Sequence, residues 1–196
     1  LERDEILAYE NYLSQACKGQ AITESTSLLV NSDVPRLLGA PGEWDIFGPS
    51  VLDTDRLMRC LDAINVSVRP GDVLLFRFGW MHALTHFADE SARREWFDKG
   101  VFAGLSGGQS MWEFLWDHGV AAAASDSPTL EATPMPKGDN LHLAIPCLGF
   151  TIGEFFALEA LAEACAEDGI YTVFLTTSPL NLRGGVGSPP NAIAIK

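Results

Sequence analysis

Basic residues are scarce in this 196-residue chain: 13 Lys and Arg stand against 26 Asp and Glu, a formal charge of −13. That balance opposes phosphate backbones and anionic membrane surfaces, so neither nucleic acid nor a membrane is expected as a partner. Cysteine is sparse too. Cys17, Cys60, Cys147 and Cys165 form no C-x-x-C pair, and a reduced, cytoplasmic protein is expected. No apolar run reaches the length of a membrane span, and the amino terminus lacks the basic-then-apolar order of a signal peptide. There are only 4 histidines, none of them in residues 1–67. The first residue is Leu1, so a processed chain or a piece of a longer one is expected.

What is present is apolar bulk. Hydrophobic residues make up 47%, with 11 Phe and 5 Trp, enough to fill the core of one globular domain. Residues 1–20 read as a polar helix with a weak apolar stripe (Ile6, Leu7, Tyr9, Tyr12, Leu13), 27–30 as a short strand and 35–49 as a Gly- and Pro-rich loop. A helix follows that Thr54 can cap, with Leu57, Met58, Leu61 and Ile64 facing inward. The turn Arg69-Pro70-Gly71-Asp72 leads into 73–78, a strand with too few polar positions to have a wet face and therefore central. Residues 89–98 read as an exposed helix. Residues 109–118 read as a second one that buries Met111, Trp112, Leu115 and Trp116 and stops at Gly119. The small residues of 120–124 predict a buried strand that something approaches closely. Strands at 171–177 and 191–195 flank a Gly-rich loop at 179–190. Alternating helices and strands predict an α/β domain with a mixed or parallel sheet, whose ligands sit at strand ends.

The chemistry concentrates in 141–169, where His142 and Glu154 lie twelve residues apart. Two accounts of this pair stay open. In one, Thr151 and Glu154 form a capping box on a helix whose inner face holds Phe155, Leu158, Leu161, Ala162 and Cys165, with Gly169 as its stop; His142 is then a hydrogen-bonded core residue. In the other, the two residues meet at a metal. His82 and His86, four apart with Asp89 close behind, offer a second metal-like spacing, yet they lie in a polar stretch that reads equally as an exposed helix start. The glycines of 184–187 lack the lysine and helix of a phosphate loop, and Ser106 lacks the G-x-S-x-G frame of a nucleophile turn.

Taken together, VRPGDVLLFRFGW at 68–80, GLSGGQSMWEFLWDHGVAAAASDSPTLEA at 104–132, LHLAIPCLGFTIGEFFALEALAEAC at 141–165 and YTVFLTTSPLNLRGGVGSPPNAIAI at 171–195 resemble the cyclase family. These are the metal-dependent hydrolases that include kynurenine formamidase and isatin hydrolase. The resemblance runs from about residue 28 to the carboxyl terminus. It divides the chain into an amino-terminal extension, 1–27, and a cyclase-like α/β domain, 28–196. It implies a swivelling β/β/α domain with a mixed sheet, a homo-oligomer, and hydrolysis of an amide bond with bound zinc or manganese. By that resemblance His142 and Glu154 match two metal ligands, and Trp80, Asp126 and Ser188 fall at substrate-pocket positions. The implied substrate is a small aryl amide: an aryl formamide, as a kynurenine formamidase of tryptophan catabolism cleaves, or a similar cyclic amide.

The chain departs from the family at one place. The hallmark H-x-G-T-H-x-D-x-P-x-H precedes the R-x-G-W strand in the family and supplies three further ligands and an acid/base histidine; residues 1–67 contain no counterpart. The stretch 82–89 does not replace it, because Leu84 stands where glycine belongs, Ala88 stands where the aspartate belongs, and the stretch follows Trp80. SLLVNSDVPRLLG at 27–39 resembles the strand just downstream of the hallmark. A chain that begins after the motif or has lost it is therefore expected, with its site completed elsewhere or with the fold kept as a catalytically inactive binding or assembly module.

Overall fold

The computed structural model of the chain describes residues 26–31, 45, 48–86 and 89–196. The helix expected over 1–20 and most of the loop expected over 35–49 lie outside them. The strands are β1 (Thr26–Asn31), β2 (Val51–Leu52), β3 (Val73–Arg77), β4 (Gly104–Leu105), β5 (Ala122–Ser125), β6 (Thr151–Gly153), β7 (Thr172–Thr176) and β8 (Ile193–Ile195). The helices are α1 (Thr54–Ala63), α2 (Trp80–His86), α3 (Glu90–Asp98), α4 (Gln109–Asp117), α5 (Ala144–Leu148) and α6 (Glu159–Asp168), with a 3-10 turn at Leu141–Leu143. None of these helices is long and apolar enough to cross a membrane.

The main sheet has the order β6-β5-β3-β1-β7-β8. Its first four strands run parallel, and β7 pairs antiparallel with both β1 and β8, so the sheet is mixed. β3 is interior, and Leu74, Leu75 and Phe76 are wholly buried, as a strand covered on both faces requires. Leu74, Phe76 and Ala123 pack with Leu57, Cys60 and Leu61 of α1 and with Met111, Phe114 and Leu115 of α4. On the other face Leu75 and Ala124 meet Ala162 and Cys165 of α6. Each face of a parallel sheet must be covered by apolar helix surface, and these two clusters do so.

Two helices sit differently from the sequence expectation. α1 is capped by Asp53, whose carboxylate accepts from the Arg56 amide at 2.8 Å, while Thr54 is the first helical residue and Met58 is exposed. α4 buries Met111, Phe114 and Leu115, while Trp116 stays 64% exposed. Both 111/114/115 and 112/115/116 are helical stripes, and the face that meets β3 and β5 decides between them. The turn at 69–72 is as expected: the Asp72 carboxylate accepts from the Arg69 amide at 2.8 Å, and Gly71 takes φ +93°. Gly119 and Gly169 take φ +63° and +71°, which fits the stops expected for α4 and α6.

The larger correction lies at 151–158. Thr151 and Glu154 form no capping box, because residues 151–153 pair with residues 122–124 as β6, and α6 begins only at Glu159. Phe155 therefore leaves the helical face expected of it and takes φ +57°, half-exposed. Small residues permit this pairing. A Cβ on Gly153 would lie 2.8 Å from the Cβ of Ala124, the neighbour it faces across the ladder. Glu154 is thereby placed just beyond the carboxyl end of an edge strand.

Candidate metal centre

The parallel strands β5 and β6 end side by side, and the chain beyond each supplies part of one cluster. After β5, residues 130–133 run along β4: Leu105 donates to the Leu130 carbonyl at 2.9 Å, and Ala132 donates to the Leu105 carbonyl at 2.9 Å. Glu131 lies within this stretch, and its side chain is only 1% exposed. The approach depends on Gly104, since a Cβ there would stand 2.4 Å from the Glu131 carbonyl carbon and 2.5 Å from the Ala132 nitrogen. Gly104→Ala is expected to cost about 2 kcal/mol through overpacking against the backbone. Chemical denaturation would measure it, and a change below about 0.5 kcal/mol would show that the strand yields freely.

His142 comes from the 3-10 turn, held in place by Leu141 and Ala144, which are buried on either side of it. Its Nδ1 lies 2.9 and 3.0 Å from the two carboxylate oxygens of Glu131, and its Nε2 lies 3.2 Å from Oε1 of Glu154. Glu154 Oε1 also accepts from the Leu130 amide at 3.1 Å. The His142 side chain is 42% exposed and that of Glu154 26%, so the cluster opens on the Nε2 side. Burial lowers the His142 pKa, but the hydrogen bond and charge of Glu131, followed by those of Glu154, raise it above the ordinary histidine value. Burial also raises the Glu154 carboxyl, and the His142 charge and the Leu130 amide offset this only in part.

Among the described residues, Glu131, His142 and Glu154 bring one ligand atom each to within 4.8 Å of one another. An imidazole with carboxylate oxygens is a donor set that Zn2+ and Mn2+ both accept, so the residues present fit such an ion. The sequence points to His142 and Glu154 but not to Glu131. The only signal for it was a lone carboxylate set in the apolar run Leu130-Glu131-Ala132.

The other candidates fall elsewhere. Asp126, next after β5, is wholly buried, and its carboxylate accepts from the amides of Phe78 at 2.7 Å, Gly79 at 2.9 Å and Met81 at 3.3 Å. It thus caps the start of α2, where Trp80 is the first residue. Burial pushes this carboxyl up, the three amides oppose, and the charge of Glu159 adds to the push. Trp80 is buried against Trp96, Phe97, Phe102 and Phe155. With Leu84, Arg93, Phe97 and Phe155 it lines an open groove of about 540 Å3. Ser188 is bonded within its own loop, accepting from the Leu180 amide at 2.8 Å. His82 and His86 stack at 4.0 Å on an exposed face of α2, with His82 Nδ1 3.6 Å from Glu159. Glu159 in turn accepts from Arg77 Nε at 3.0 Å, which ties the end of β3 to α6.

A mixed α/β sheet with a histidine–carboxylate cluster at the carboxyl ends of its parallel strands defines an α/β protein with a metal-type site. Residues 18–132 match the family model Cyclase, and the chain belongs to that family, as the sequence motifs implied. No curated protein matches it. A crystal structure described as a novel cyclase is 29% identical, with a TM-score of 0.71 over 87% of this chain and 53% of that one. Isatin hydrolase A from Ralstonia solanacearum shares the fold at 14% identity, with a TM-score of 0.63 over 87% of this chain and 60% of that one. A potential metal-dependent hydrolase with cyclase activity shares it at 15% identity, with a TM-score of 0.52 over 86% and 63%. The chain thus spans between 53% and 63% of the length of these relatives.

Proposed function

We propose that the chain is a metal-dependent hydrolase that cleaves the C–N bond of an aryl formamide or a related cyclic amide, with His142 and Glu154 holding zinc or manganese. The observation that carries this is the convergence of Glu131, His142 and Glu154 at the ends of β5 and β6. A divalent ion bound there supplies a water of lowered pKa and polarises the carbonyl. His142 Nε2 and Glu154 Oε1, on the open side of the cluster, would hold it. Phe155 follows Glu154 directly, and with Trp80 and Phe97 it gives the neighbouring groove an aromatic wall suited to an aryl group. Exposed Phe174, Ile193 and Ile195 on β7 and β8 support a homo-oligomer.

One observation favours a second reading. Among the described residues the cluster offers one histidine and two carboxylates, one of them enclosed, fewer open donors than a catalytic ion takes, which favours a catalytically inactive binding or assembly module. The test is metal content by elemental mass spectrometry after purification without chelator, together with hydrolysis of an N-formyl aryl amine and of isatin. We expect about one equivalent of metal, the capacity of a single site of this kind, and turnover that disappears with chelator. Absence of both metal and turnover would leave the module reading standing.

A further inference from the structure

Glu131 and Glu154 approach His142 from opposite edges of the ring, Glu131 at Nδ1 and Glu154 at Nε2. A neutral imidazole binds a metal through one nitrogen and keeps its proton on the other, and the group that accepts that proton selects the tautomer. Both Glu131 oxygens lie within 3.0 Å of Nδ1, the arrangement a carboxylate takes around an N–H donor. Glu131 is also enclosed. Its side chain is 1% exposed, whereas His142 and Glu154 keep open surface on the Nε2 side. A catalytic ion needs an open coordination position, and the Glu131 side offers none.

We propose that Glu131 is a positioning residue: it does not ligate the metal, but holds the Nδ1 proton of His142 so that Nε2 is the ligand atom. The same short piece of chain then orients both donors, since the Leu130 amide holds the Glu154 carboxylate while the Glu131 side chain holds the ring. This rests on the metal reading above.

The experiment uses the full chain titrated with zinc, and compares the wild type with Glu131→Gln. We expect Glu131→Gln to keep one equivalent of zinc with affinity lowered about 10- to 100-fold, because the amide keeps an oxygen for Nδ1–H but loses the charge that strengthens this outer hydrogen bond. In the zinc-loaded wild type, 15N NMR of the His142 ring is expected to show Nδ1 protonated and Nε2 metal-bound. This measurement does not depend on whether the variant folds. Zinc bound through Nδ1, or a folded Glu131→Gln that takes up no zinc, would overturn the positioning role while sparing the metal reading. A wild type that takes up no zinc would overturn both.

Discussion

Asp126→Ala is expected to lower stability by about 4 kcal/mol, and with it the thermal midpoint by about 10 °C in a chain of this size. The carboxylate serves three backbone amides, of Phe78, Gly79 and Met81, at a position with no exposure to water. Removing it takes one acceptor away from each of these amides inside the protein, and a buried donor that loses its acceptor costs about 1 to 3 kcal/mol. The first turn of α2 loses its cap, and Trp80 loses the backbone that holds it at the centre of its aromatic cluster. Asp126→Asn is expected to fall between, because one amide oxygen is kept while the NH2 group faces donors. Circular dichroism melts of the two variants check this. A loss of less than 3 °C in the alanine variant, about 1 kcal/mol for a chain of this length, would mean that the cap contributes little.

His142→Ala is expected to reduce bound metal from about one equivalent to less than about 0.1, because a ligand itself is lost and not an outer partner of one. It deletes the imidazole of the cluster, and two carboxylates so close together are a poor replacement because their charges repel. The same change strands the buried Glu131 carboxylate, so loss of metal and loss of stability arrive together. His142→Gln separates them. The glutamine amide can still donate to Glu131 but is a far weaker ligand, so this variant is expected to melt closer to the wild type while holding as little metal as the alanine variant. Elemental mass spectrometry alongside a melt decides the point, and unchanged metal content in His142→Ala sinks the ligand role.

Much of the sheet was legible because its signals are local. The turn at 69–72, the unbroken apolar run that became β3 and the glycines ending α4 and α6 each act within a few residues. Where long-range contact decides, local pattern misled. Thr151 and Glu154 carry a capping-box spacing, but parallel pairing with β5 claims the same backbone first. Trp116 lies on a plausible helical stripe, yet the sheet selects the neighbouring one. Glu131 had no local pattern at all, since its partner lies eleven residues on and its burial depends on Gly104 in another strand. The resemblance is what singles out His142 and Glu154 as candidate ligands, since spacing alone leaves a metal pair open beside a core histidine and a capping box.

Leu130 and Glu131 are joined by one planar peptide unit, and this bears on how the cluster tolerates motion. The unit touches Glu154 through its neighbouring amide and His142 through the next side chain. Any drift of the segment along β4 therefore carries both contacts with it. The gap between Nε2 and Oε1 then varies less than the position of either atom, as the jaws of a caliper keep their setting when the whole tool is moved. For an ion that tolerates only a narrow range of bond lengths, a fixed donor spacing matters more than a fixed donor address.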